Sequence, residues 1–216
     1  EIFERDAPHE ADAEVFALIS SVLRGLPVRA ATGDIGILMA AVEGLSTTER
    51  RKAALRRHIW RPRRFRALME RFSGRADVPA SRVALLAAED AFAEAGPAIG
   101  LRTRNEVEAR IAALREDEAA GPLSQGDVEL MEAILAVQET LPNAVEQLSD
   151  IAVDMPAIAD AVDGLAKRTR ALAARGVDVA QLSFEASYGR ASMEYYDGFV
   201  FGFYAEARAD LPPVAS

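Results

Sequence analysis

Residues that could carry chemistry are few in this chain and far apart. Its 216 residues include no cysteine, which excludes thiolate nucleophiles, disulfides and cysteine-ligated zinc. The two histidines, His9 and His58, have no partner at metal-ligand spacing, and no nucleophile-elbow sequence accompanies a serine. We therefore predict no metal site, and we expect both histidines to be structural or solvated.

Two other patterns have a structural interpretation that we prefer. The Gly-Asp-Ile-Gly sequence at residues 33–36 opens a helix, where backbone N–H groups could face an anion. It lacks both the Walker lysine and the three-glycine dinucleotide fingerprint, so Asp34 is better interpreted as a helix N-cap. Adjacent carboxylates at 89–90 and 116–118 have no neighbour that suggests proton transfer, and we expect them to be solvated.

The strongest anomaly is a basic stretch at 50–71 in a chain whose formal net charge is −9. Glu70 is the only carboxylate within it, so it lacks the interleaved charges of a helix face stabilised by i,i+4 pairs. Either these residues form two solvated helix faces, or an anionic partner balances their charge. The candidate contacts for such a partner or anion are Arg56, Arg57, Arg61, Arg63 and Arg64.

Helices supply most of the elements that must position these residues. Ser46 and Glu49 have the spacing of a capping box, and Pro62 suits the first turn of a helix. Apolar periodicity and Gly/Pro punctuation predict helices over 11–24, 35–44, 46–59, 62–74, 80–95, 104–119, 125–138, 143–153 and 157–175.

Strands are predicted near both ends. Residues 27–32 are extended, and Leu182, Phe184, Ala186 and Tyr188 alternate on one face of a second strand. A third strand covers 195–204, with Phe199, Phe201 and Phe203 on one side. The fold class is therefore α+β, with a long helical block between two segments of sheet.

Two motifs resemble those of histidyl-tRNA synthetases. Residues 190–201, R-A-S-M-E-Y-Y-D-G-F-V-F, resemble the strand motif R-G-L-[DE]-Y-Y-x-G-x-V-F of that family. Residues 1–4 and 11–15, E-I-F-E and A-D-A-E-V, resemble the tail of the family's motif 2. The segment 32–38, T-G-D-I-G-I-L, together with the arginine-rich helix, is similar to the synthetase-like regulatory subunits of ATP phosphoribosyltransferase.

The resemblance implies a class II aminoacyl-tRNA synthetase-like antiparallel sheet core with a large helical block inserted. Residues 1–45 and 177–216 would be parts of that core, and 46–176 the mainly helical segment. The chain has no initiator Met, so we expect it to be part of a longer protein.

The resemblance also implies a function. The chain would be a non-catalytic, cytoplasmic regulatory subunit, needed for the first step of histidine biosynthesis and for feedback control by histidine. Its partner would be the short-form catalytic subunit in a hetero-oligomer, and self-association is expected. No cofactor, no catalytic residue and no membrane contact are expected, and the acidic balance argues against nucleic acid.

One departure from the synthetase motif bears on activity. Synthetases of this family have an arginine three residues before the acidic residue of the motif; here that position is Ala191, and Arg190 lies one place further away. Adjacent residues of a strand face opposite sides of a sheet. An arginine displaced by one therefore points away from the pocket, unless a bulge redirects it.

The residues that contact histidine in the family match Glu1 and Tyr196 of this chain. A carboxylate and a phenol suit a small cationic ligand that bears an imidazole, whereas Tyr195 should face the opposite side. Two alternatives stay open: a fragment of a genuine histidyl-tRNA synthetase, and an RNA-binding synthetase paralogue that uses the basic stretch.

Overall fold

The computed structural model describes residues 2, 4–93, 95–97, 99–190, 196–208 and 211–216, and of Arg208 only the backbone. The helices are α1 (Pro8–Val22), α2 (Ile35–Gly44), α3 (Glu49–Arg57), α4 (Pro62–Phe72), α5 (Ala80–Ala87), α6 (Arg104–Ala119), α7 (Gln125–Ala136), α8 (Leu141–Asp154) and α9 (Ala159–Ala174). The strands are β1 (Val28–Asp34), β2 (Gln138–Thr140), β3 (Ser183–Glu185) and β4 (Phe199–Ala205).

Each predicted helix is present, and its ends lie within about three residues of the predicted bounds except at the end of α5. The capping box at Ser46 is wrong: the N-cap of α3 is Thr48, whose hydroxyl accepts a hydrogen bond from the Arg51 N–H. Helix α5 ends at Ala87, short of the predicted residue 95. Helix α7 ends at Ala136, because the carbonyl of Val137 accepts a hydrogen bond from Ala186 and the chain continues into β2.

The sheet has the strand order β2-β3-β1-β4. β1 and β4 pair antiparallel over their full length, from Val28 opposite Ala205 to Asp34 opposite Phe199. β1 pairs in parallel with β3, and β2 pairs antiparallel with β3. The predicted α+β class is confirmed, with one parallel pairing among the antiparallel ones.

One face of the sheet packs on α1 and α9. The ring centroid of Phe16 lies 5.1 Å from that of Phe201 and 5.1 Å from that of Phe203. Aromatic pairs at this separation add about 0.5–1.5 kcal/mol beyond the burial of their surface. The predicted alternation of β4 is confirmed, since its phenylalanines share this helix-covered face.

A buried arginine joins the helix layer to the end of β1. Arg168 of α9 donates from Nε to Asp12 at 2.8 Å and from Nη1 to Asp34 at 2.9 Å. Its guanidinium also lies over the ring of Phe199. Asp34 accepts a second hydrogen bond from the Gly36 N–H, which confirms its predicted role as the N-cap of α2.

Burial raises the pKa of Asp34, and Arg168 together with the Gly36 N–H offsets only part of that rise. The carboxylate therefore depends on its cationic partner. We expect Arg168→Met to lower the free energy of unfolding by about 3–5 kcal/mol, because a buried charge would be left uncompensated. Urea denaturation would measure this loss.

Two controls sharpen that experiment. Arg170→Met, at an exposed position of the same helix, should change stability by less than about 0.5 kcal/mol. Arg168→Met combined with Asp34→Asn should be more stable than Arg168→Met alone. If the double variant were no more stable, the ion pair would not be the reason for the loss.

A second buried ion pair joins Arg51 and Asp117. It corrects the prediction that the carboxylates at 116–118 are solvated, and it shows that one arginine of the basic stretch is balanced within the chain. Asp117 was expected to be solvated, yet it is 7% exposed and accepts from Arg51 Nε at 2.6 Å and from Arg82 Nη2 at 3.0 Å. Arg51, from the basic stretch, is 6% exposed. Its other donors bind the carbonyls of Asp117, Ala120 and Gly121 at the end of α6, where a cation suits unpaired carbonyls.

The pKa of Asp117 gives a pH prediction. Burial alone would raise the pKa of this carboxyl, but hydrogen bonds from Arg51 and Arg82 outweigh burial and hold it below its ordinary value. A folded-state pKa below that of the unfolded chain stabilises the fold above about pH 4, and this stabilisation is lost as the pH falls through the folded-state value.

Asp117→Asn should therefore lower the free energy of unfolding by about 3 kcal/mol at pH 7, because Arg51 would lose its partner. The difference from the unmodified protein should shrink as the pH is lowered below 4. Urea denaturation between pH 7 and pH 3 would measure it, with Glu118→Gln as the exposed neighbouring control. A difference that did not vary with pH would contradict this account.

Candidate functional site

The sheet face turned away from α1 and α9, which we call the open face, is the candidate site. The β1–β4 register places small and aromatic residues opposite one another on it. Its members on these two strands are Arg29, Ala31, Gly33, Val200, Gly202 and Tyr204. The residues at the centre of this surface are small and buried, because another segment of the chain lies against the backbone there.

Two tyrosines meet on the open face. The hydroxyls of Tyr188 and Tyr204 are 2.9 Å apart, and their rings lie edge to face with centroids 6.3 Å apart. The Arg29 guanidinium lies 5.8 Å from the centroid of the Tyr204 ring. Burial, followed by the hydrogen bond to Tyr204, raises the pKa of Tyr188. Tyr188 is therefore neutral at physiological pH, and one O–H of the pair stays available to donate to a ligand.

Glycines make this arrangement possible. A Cβ on Gly202 would lie 2.2 Å from the Tyr188 hydroxyl oxygen, and one on Gly33 would lie 2.8 Å from Tyr188 Cβ. Gly189 has a φ of +84°, a conformation that residues with side chains rarely adopt. The segment after β3 can therefore lie directly on the sheet only because these three positions are glycine.

The position of Tyr188 corrects the sequence analysis, which placed it on the same strand face as Phe184. Phe184 is fully buried in the helix-covered core, whereas Tyr188 lies on the open face. The reason is a turn: the Tyr188 N–H binds the Glu185 carbonyl at 2.9 Å, so the strand ends at Glu185 and the alternation stops there.

Only part of the predicted histidine pocket falls within the described residues. Tyr196 is 56% exposed. Two residues further on, the Gly198 carbonyl accepts a hydrogen bond from the Ile35 N–H at the start of α2, at 2.9 Å. Glu1, Ala191 and Tyr195 lie outside the described residues. The juxtaposition of Glu1 and Tyr196 stays a prediction.

Arg190 lies among the helices rather than on the open face. The side chain is 4% exposed; Nε donates to the Ile59 carbonyl at 2.8 Å, and the guanidinium lies 4.9 Å from the centroid of the Phe65 ring. Burial, helped by the nearby charge of Arg66, lowers its pKa to about 10, so the group remains cationic at neutral pH. Its contacts are those expected of an arginine that points away from the sheet pocket.

The predicted arginine contacts divide into two kinds. Arg56 forms an ion pair with Glu43. The other four are exposed, and none forms an ion pair with a described residue; we call Arg57, Arg61, Arg63 and Arg64 the basic patch. Burial, together with the charges of Arg61, Arg64 and Arg57, lowers the pKa of His58.

The basic patch occupies an electrostatically unusual place. Arg61 is the N-cap of α4, and Arg63 and Arg64 lie in its first turn, where the structure has no acidic residue. The helix dipole is positive at this end and favours anions. The fold itself therefore does not account for the clustering of arginines there.

Among the described residues, no helix is long and apolar enough to cross a lipid bilayer.

Comparison with known proteins gives a match in sequence and matches in structure, two of which are described below, while no protein-family model matches the chain. An ATP phosphoribosyltransferase regulatory subunit of Agrobacterium fabrum is 38% identical over 84 residues. That match covers 38% of this chain and 22% of the relative's length.

The structural similarity covers nearly the whole chain. The solved structure of an ATP phosphoribosyltransferase regulatory subunit/histidyl-tRNA synthetase of Bacillus halodurans has a TM-score of 0.57 at 19% identity, over 92% of this chain and 40% of that one. A histidyl-tRNA synthetase of Nostoc sp. PCC 7120 has a TM-score of 0.53 at 12% identity, over 99% and 40%.

At these low identities the structural matches establish the fold, and the sequence match supplies the name of a relative. The chain corresponds to less than half the length of the proteins it matches. The predicted resemblance is thereby confirmed: the chain is similar in sequence to an ATP phosphoribosyltransferase regulatory subunit, and its fold is that of the histidyl-tRNA synthetase-like proteins of class II.

Proposed function

We propose that this chain belongs to a non-catalytic regulatory subunit of ATP phosphoribosyltransferase, which acts in the first step of histidine biosynthesis. The name of the Agrobacterium relative supports the assignment. The observation that carries it is the position of Arg190, whose guanidinium is held by Ile59 and Phe65 in the helical block.

An active synthetase must stabilise the charge that develops on the transferring phosphoryl group, and removing one positioned donor commonly costs about 10²–10³ in rate. The arginine of the strand motif that would supply this charge is replaced by Ala191 in the sequence. Arg190, the nearest substitute, has its Nε committed to a backbone carbonyl. A protein built in this way can retain the fold of a synthetase without its activation step.

The proposed partner is the short-form catalytic subunit, in a cytoplasmic hetero-oligomer in which this subunit also self-associates. The basic patch is the surface we assign to that partner, because its arginines lie exposed at the positive end of α4. An acidic surface on the catalytic subunit would balance both the arginines and the helix dipole.

Histidine is the proposed effector, bound by Glu1 and Tyr196. The exposed Tyr196 is accessible to a ligand, and a carboxylate at Glu1 would suit the cationic imidazole. Feedback control then requires that histidine bind two states of the complex unequally, typically by about 1–3 kcal/mol.

Mixing the protein with a short-form catalytic subunit from the same organism should raise the rate of phosphoribosyl-ATP formation at least tenfold. Histidine should lower the stimulated rate. The assay would follow the product by its absorbance, with the catalytic subunit alone as the reference. No stimulation in a complex shown by gel filtration to have formed would contradict the proposal.

A genuine histidyl-tRNA synthetase is the second candidate, since the Nostoc synthetase has the same fold. Histidine-dependent exchange of pyrophosphate into ATP separates the two functions. We expect no exchange above the background of a protein-free reaction. Robust exchange would overturn the assignment.

Charge reversal should test the basic patch. We expect Arg63→Glu with Arg64→Glu to weaken association with the catalytic subunit at least tenfold, while the fold stays intact because glutamate is favourable in the first turn of a helix. Calorimetry at two salt concentrations would measure the loss and its screening. A matched control is Arg102→Glu with Arg110→Glu, at exposed positions elsewhere in the helical block. Equal losses in both double variants would remove the patch from the interface.

A further inference from the structure

A cavity of about 420 Å³ lies between α4 and α7, away from the open face. Pockets of about 300–1,000 Å³ are the usual size for small-molecule sites. The apolar part of its described lining consists of Pro62, Phe65, Met69, Val128, Met131, Leu135 and Ala136. The open-face tyrosines Tyr188 and Tyr204 are not part of this lining.

A buried cation with an unused donor lines this cavity. Arg190 is 96% buried, given its 4% exposure, and its Nη2 has no hydrogen-bond partner among the described residues. A buried donor left unpaired costs about 1–3 kcal/mol, and more when it is charged. Arg66 lines the same cavity and lies close enough to lower the pKa of Arg190. Two cations near one another in a mainly apolar space favour an anion between them.

The charge of that anion is limited by two carboxylates in the lining, Glu70 and Glu132. Glu132 is bound by Arg75 Nη1 at 2.8 Å, which partly neutralises it. A dianion such as phosphate would meet repulsion from these groups, whereas a single negative charge would still gain from the two arginines. The apolar lining requires the rest of the ligand to be apolar.

We propose that this cavity binds a small organic monocarboxylate with an apolar body, whose carboxylate accepts a hydrogen bond from Arg190 Nη2. The apolar body lies against the methionines of α4 and α7. This site is distinct from the histidine pocket on the sheet, and it does not rest on the proposed regulatory function. A ligand in this cavity would contact Arg190, the residue that connects the β3–β4 segment to the helical block.

Calorimetric titration with phenylacetate tests the site, with phenylacetamide and inorganic phosphate as comparators. We expect phenylacetate to bind at least tenfold more tightly than either, because only it combines a single negative charge with an apolar ring. Arg190→Met and Arg66→Met should each weaken phenylacetate binding at least tenfold. Arg71→Met, on the same helix but outside the lining, should leave binding unchanged.

Three results would overturn the proposal: no heat of binding with millimolar phenylacetate, equal binding of phenylacetamide, or full binding to Arg66→Met. If Arg190→Met does not fold, Leu135→Trp serves as the second variant, since the larger ring would fill the cavity. Undiminished binding to Leu135→Trp would place the ligand elsewhere and contradict the site.

Discussion

The Arg168 guanidinium lies between two carboxylates that come from distant parts of the chain, Asp12 in α1 and Asp34 at the end of β1. Asp34 is also the last residue of β1 and the N-cap of α2. Because a buried carboxylate without a cation is strongly unfavourable, the position of α9 is tied to the point where β1 becomes α2. Phe16 of α1 packs on Phe201 and Phe203 of the same sheet. The ion pair and these ring contacts together fix the helix layer on the sheet.

The open face follows from that register. Once Asp34 lies opposite Phe199, the same pairing sets Gly33 opposite Val200 and Ala31 opposite Gly202. These small residues allow the turn after Glu185 to lie on the sheet, with the Tyr188 hydroxyl in van der Waals reach of the Gly202 backbone. The register that places Asp34 opposite Phe199 on one face of β1 and β4 also determines which groups meet on the other face, because side chains alternate between the two faces of a sheet.

Local signals in the sequence were sufficient for elements that depend on local chemistry. The N-cap role of Asp34, the first-turn position of Pro62 and the alternation of the β4 phenylalanines each follow from residues a few positions apart. The buried pairs could not be predicted in this way: Arg168 is 134 residues from Asp34, and Arg51 is 66 residues from Asp117. Tyr188 was assigned to the wrong face because one turn, at Glu185, interrupts an alternation that the sequence continues.

The position of Arg190 depends both on a local turn and on contacts with residues distant in sequence. Arg190 follows Gly189, whose positive φ turns the chain away from the open face, and its guanidinium is received by the Ile59 carbonyl and the Phe65 ring. To reach the sheet pocket, the side chain would have to give up a charge-assisted hydrogen bond and a cation–π contact, and Gly189 would have to leave a turn that fits against Val200. These contacts therefore favour the position of the Arg190 guanidinium in the helical block over a position in the sheet pocket. Arg190 is held in the helical block by Ile59 and Phe65, because residues on either side of a turn meet different neighbours.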